Sequence, residues 1–131
     1  MNDSWTSGPD MIRARRLHAC AMRGNEVFVI GGEADSRNSL EVWNGKSWFY
    51  SVTPIGATNL QLKSQGRNLY LFGGWDYWDH QAGSHRLSNT VWKIDHNNEF
   101  TEAGNILIAR KNYALLTLPH GFLTNCQGMS I

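Results

Sequence analysis

Two stretches decide the fold: ARRLHACAMRGNEVFVIGG, from Ala14 to Gly32, and GATNLQLKSQGRNLYLFGG, from Gly56 to Gly74. Each has 19 residues and closes on a glycine pair, and their starts stand 42 positions apart. Self-similarity at a fixed period is the mark of a repeat architecture, so the rest of the chain is read against this alignment.

After the first pair comes Glu41-Val42-Trp43, and after the second Thr90-Val91-Trp92, with seven additional residues between Gly74 and Trp92. The closing aromatics Trp48 and Phe100 precede Gly56 and Ala109 by eight or nine positions, as Trp5 precedes Ala14. Residues 1–13 therefore read as the last strand of a preceding unit with its linker, 14–51 as unit one and 52–104 as unit two with an inserted loop 75–86. Residues 105–131 open a third unit with Ala109-Arg110, like Ala14-Arg15, and leave the pattern before any glycine pair.

Glu26–Ile30 and Asn68–Phe72 are short, rich in β-branched and aromatic residues, and apolar without alternation, the pattern of a strand covered on both faces. Turn residues Arg23-Gly24-Asn25 join the first of them to Leu17–Met22, and Asn44-Gly45 joins Ser39–Trp43 to Ser47–Tyr50. Strands are expected near 17–22, 26–31, 39–43, 47–50, 59–64, 68–73, 88–93 and 98–101, with no helical periodicity between them. Four strands per unit make a four-stranded antiparallel sheet, and a sheet covered on both faces needs copies of itself as neighbours, as in the radial stacking of a β-propeller. Trp43 with Trp48, and Trp92 with Phe100, are expected to wedge between adjacent sheets.

The glycine pair ending the second strand, the aromatic on the third and the Trp on the fourth resemble the kelch repeat family over about residues 5 to 118. Trp43 stands where the family has Tyr, Phe100 where it has Trp, and Gly56-Ala57-Thr58 has lost the small-residue-then-Arg opening of Ala14-Arg15. The resemblance implies an all-β fold, a segment of a kelch-type β-propeller built of four-stranded antiparallel blades. With kelch units of about 50 residues and rings of typically four to eight blades, 131 residues make an incomplete ring. Open blade edges then add an expectation of self-association.

Composition excludes other classes. The 131 residues are the size of one domain, and 12 basic against 11 acidic residues leave a net charge of +1, no footprint for nucleic acid or an anionic membrane. No apolar run is long enough for a membrane span or a secretory signal, which reads as a cytoplasmic chain. Cys20 and Cys126 form no C-x-x-C pair, and no nucleophile-elbow, zincin, dinucleotide or P-loop pattern occurs. His18 aligns with Leu60 and Tyr113, so the position reads as packing. The expectation is a protein that is not an enzyme and needs neither cofactor nor metal.

The insertion is where the chain departs from its own repeat. Trp75, Asp76, Tyr77, Trp78, Asp79, His80, His85 and Arg86 gather residue types enriched at binding hot spots on one loop. It is the candidate contact for a protein partner on the propeller's loop face; Asp76, Asp79, His80 and His85 have no metal-site spacing. In the kelch family such propellers often serve as substrate receptors of ubiquitin ligase adaptors. The alternatives are a fragment of a galactose-oxidase-like propeller enzyme and a non-functional truncated copy.

Overall fold

A computed structural model describes residues 3–79, 81 and 83–115. Strands β1 (Ala19–Arg23), β2 (Glu26–Ile30), β3 (Ser39–Trp43) and β4 (Trp48–Val52) form one antiparallel sheet in chain order. After β5 (Gln61–Gln65) and β6 (Asn68–Phe72) the chain makes a separate two-stranded sheet, β7 (Trp75–Asp79) and β8 (Ser84–Leu87). It then returns through β9 (Thr90–Ile94) and β10 (Phe100–Asn105) to complete a second four-stranded sheet, ordered β5-β6-β9-β10. All eight expected strands are present, within two residues at their starts, and β3 has the expected ends. β10 runs four residues further than expected, carried past a register shift between Glu102 and Gly104, where Gly104 sits at φ 139°.

Register sorts each sheet into two faces. Ala19, Ala21, Phe28, Ile30, Leu40 and Val42 are cross-strand neighbours on one face of the first blade. They pack against Leu62, Leu69, Leu71 and Ile94 of the second, with β1 beside β5. Phe28, Leu69 and Ile94 are fully buried, and burial of each such side chain is worth about 1.5–3 kcal/mol. The core thus lies between the two sheets, and β6, expected to be covered on both faces, alternates between buried Leu69 and Leu71 and half-buried Asn68, Tyr70 and Phe72.

The joints between units repeat in the backbone. The second glycine of each pair donates to the carbonyl of the next unit's residue at the Arg15 position: Gly32 N to Ala57 O and Gly74 N to Arg110 O, each 3.0 Å. Glu33 N to Arg16 O and Trp75 N to Thr58 O are likewise equivalent. Leu17, Asn59 and Asn112, at matching repeat positions, take φ of 57°, 57° and 49°. Gly31 must lack a side chain because a Cβ there would meet Ala57 O at 2.3 Å.

Three expectations are corrected. No strand occurs among residues 3–13, where a preceding blade's last strand was expected, and Trp5 is fully exposed. Instead the segment from Pro9 to Arg15 lies over the far face of the first blade. There Trp48 Nε1 donates to Pro9 O at 3.2 Å and the Arg13 guanidinium stands 5.0 Å from the centre of the Tyr50 ring. Second, Trp92 and Phe100 pack against the core between the blades, but Trp43 and Trp48 do not wedge there. They meet each other on that far face, ring centroids 5.5 Å apart and tilted 45°: they take the same side of their blade as Trp92 and Phe100 take of theirs, and in the first blade that side turns away from the second. Third, the insertion 75–86 is a β-hairpin where a loop was expected. The third unit is described to Leu115, without a strand; residues 116–131 lie outside the described residues.

Candidate functional site: the loop face and its hairpin

Unit one crosses from β2 to β3 by a single 3-10 turn, Ala34–Ser36; unit two makes the same crossing with the hairpin β7–β8. Trp75 pairs with Leu87, Trp78 with His85 and Asp79 with Ser84, with a register shift between Trp75 and Trp78. Gly83, at φ 62°, supplies the left-handed residue of the turn. At its foot the hairpin is bolted to the blades: Thr58 and Trp75 exchange backbone hydrogen bonds of 3.1 and 2.8 Å, and Ser88 N donates to Gly74 O at 2.8 Å. The hairpin is therefore an extension of the second blade, held at its foot by backbone hydrogen bonds.

The expected contact residues divide accordingly. Trp75 is half-buried and belongs to the scaffold: its ring meets His85 edge-on at 5.4 Å, and Lys111 Nζ stands 4.1 Å from its centroid. His85 is half-buried beside it, and Arg86 is exposed. Asp76, Tyr77, Trp78 and Asp79 form the outgoing strand, and His80 lies outside the described residues. Among the described residues no three of His, Cys, Asp and Glu gather into a metal-binding group. The Cys20 thiol is exposed on β1.

The packing expected at the His18 repeat position is met by Leu60, which is buried, and in part by Tyr113, which is half-buried, whereas His18 itself is exposed. Leu60 and Tyr113 lie where a Cβ on Gly31 or Gly73 of the preceding unit would strike them. Burial, then the Arg15 charge, pushes the His18 pKa below its ordinary value, and burial raises that of Tyr113 against the opposing effect of Arg110.

A second constellation went unread in the sequence: a fully buried ion pair, Arg15 with Glu41, Nη2 to Oε1 2.9 Å. Arg15 donates from Nε and Nη2 to that carboxylate, from Nη1 to Gly31 O, Ser36 O and Ser39 O, and from Nη2 to Ser39 Oγ. Glu41 also accepts from the backbone N–H groups of Ile12 and Arg13, at 2.7 and 3.1 Å. Every hydrogen on the guanidinium side and both carboxylate oxygens face a partner, the condition under which such a pair survives burial. The pair ties the segment before β1 to β3 and to the glycine turn. The sequence held a signal for it, since Arg15 and Glu41 are present together in unit one while their counterparts Ala57 and Thr90 have both lost the charge.

No family model matches the chain, and no curated protein matches it. Solved structures do. One, the structure of YjhT, aligns with a TM-score of 0.66 over 79% of this chain at 16% identity. The chain spans 31% of the length of that structure. YjhT is a kelch-like β-propeller, and at this identity the likeness is one of fold. The two stacked sheets are β-propeller blades, two of an incomplete ring. Among the described residues no helix is long and apolar enough to cross a membrane.

Proposed function

We propose that this chain is a non-catalytic protein-interaction segment of a kelch-type propeller, and that a partner protein docks on its loop face with the β7–β8 hairpin as main anchor. The observation that carries the reading is that this one element stands outside both blades, as a third sheet, at the place where unit two departs from unit one. Blade strands are constrained by packing, whereas residues added beyond the blades are free to be selected for contact. The strand Trp75–Asp79 concentrates aromatic and acidic residues, and strand pairing together with backbone hydrogen bonds at Thr58 and Gly74 lowers the entropy a partner must pay to order this segment. Within this reading the partner is a cytoplasmic protein, and the kelch resemblance makes selection of a substrate for a ubiquitin ligase adaptor the natural setting.

The test shortens residues 76–86 to the length of the unit-one crossing and compares tagged wild-type and trimmed chains for the proteins they retain, identified by mass spectrometry, alongside thermal unfolding. Loss of specific partners with the unfolding midpoint kept is the expected result. Unchanged retention with an intact fold removes the hairpin from the site and moves it to the crossing Glu33–Asn38 on the same face.

A further inference from the structure

The space that Arg15 and Glu41 fill in the first blade is a cavity in the second. In the repeat alignment Ala57 stands at the Arg15 position, Thr90 at Glu41, Ser88 at Ser39 and Gly73 at Gly31. These four residues, with Ile55, Leu71 and Trp92, line a cavity of about 260 Å³ between the blades. That is far more than the ~30 Å³ share of a single water molecule. A third change accompanies the two truncations: Ile12, whose N–H serves Glu41, is matched by Pro54, which has no N–H to leave unsatisfied. One of the two backbone donors to Glu41 has thus gone together with the pair, while the other, Arg13, is matched by Ile55.

We propose that this cavity receives an arginine side chain of the bound partner protein, in the place where unit one lodges its own Arg15. Three of the six hydrogen bonds from Arg15 go to Gly31 O, Ser39 O and Ser39 Oγ, and both of those residue types persist at Gly73 and Ser88. Ile55, Leu71 and the Trp92 ring offer apolar wall to the aliphatic stem and a flat surface to the guanidinium. Gly73 and Ser88 also flank the two stems of the hairpin, so a partner seated on β7–β8 stands beside the cavity. With Thr90 in place of a carboxylate, no acidic side chain among the described residues lines the cavity to neutralise the guest, which leaves a lone arginine weakly held, in the millimolar range. The inference rests on the reading that a protein docks beside the hairpin, but it concerns a different set of residues.

The experiment titrates the full isotope-labelled chain with N-acetyl-arginine methylamide and follows the Trp92 indole and the Ala57 and Ser88 amides by NMR. The citrulline and lysine analogues serve as controls. Saturable shifts at those three residues are expected in the millimolar range, about tenfold weaker or worse for either control. Ala57→Arg combined with Thr90→Glu rebuilds the unit-one pair and is expected to abolish arginine binding with thermal stability kept. Flat titration at these residues, equal response to all three compounds, or binding that survives the double variant overturns the proposal. A flat titration beside a hairpin that still governs partner retention defeats this inference alone; arginine binding beside a hairpin that does not defeats the proposed anchor alone.

Discussion

Consider the variants Arg15→Ala and Glu41→Thr, made singly and together, which convert the first blade's buried pair into the residues found at the same positions of the second. Arg15→Ala leaves a fully buried carboxylate with only the Ile12 and Arg13 N–H groups as partners. Glu41→Thr leaves a buried guanidinium held by carbonyls and a serine hydroxyl alone. Breaking a buried pair from one side costs about 3–5 kcal/mol, because the orphaned charge loses its counter-ion without regaining water. In a chain of this size that is on the order of 10–20 °C in Tm. Removing both partners removes the orphan. The double variant is therefore expected to cost no more than the worse single, with a coupling of about 3 kcal/mol between the sites. Arg16→Ala is the control: its partner Glu33 forms a surface pair with Arg16 largely exposed, worth at most about 1 kcal/mol and sensitive to salt. The assay is urea unfolding of the full chain, comparing midpoints at constant slope. Single effects that add to within about 0.5 kcal/mol in the double would refute the reasoning.

Two further outcomes follow from the same geometry. Gly31→Ala places a Cβ 2.3 Å from Ala57 O at a left-handed φ and is expected to cost about 3 kcal/mol or more, whereas Gly24→Ala, left-handed but with open space around it, costs about 1 kcal/mol; equal urea midpoints would remove the glycine pair as the joint between units. Because burial and Arg15 depress the His18 pKa in the fold, the unfolded chain binds the extra proton first, so stability is full above about pH 6.5 and falls as the pH drops below it; His18→Gln is expected to flatten the unfolding midpoint between about pH 7.5 and pH 5, and parallel profiles would count against it.

Much of the fold was legible because the chain states it twice. Glu26–Ile30 and Asn68–Phe72 carry the same apolar run before the same glycine pair, and Asn44-Gly45 marks its hairpin without reference to anything distant. The hairpin in the insertion was not legible, since strand formation by Trp75–Asp79 depends on pairing with Ser84–Leu87 and on the backbone bridge to Thr58, and Asp at two of its five positions argues locally against a strand. The placement of Trp43 and Trp48 also depends on context: sequence marks them as large and flat, and only register says which face they take. Arg15 and Glu41 were missed because a charge pair 26 residues apart has no periodicity to betray it. Their joint absence from unit two was the usable sign.

The hairpin has a consequence for how the chain assembles. In the first blade the crossing from β2 to β3 spans eight residues, and in the second, from β6 to β9, seventeen. A flexible segment of that greater length raises the entropy of closure by about 0.7 kcal/mol. Once β7 and β8 have paired, only residues 73, 74, 88 and 89 lie outside the hairpin, so the effective gap is four residues. The insertion shortens the very connection it lengthens on paper, and the second blade closes over a shorter span than the first.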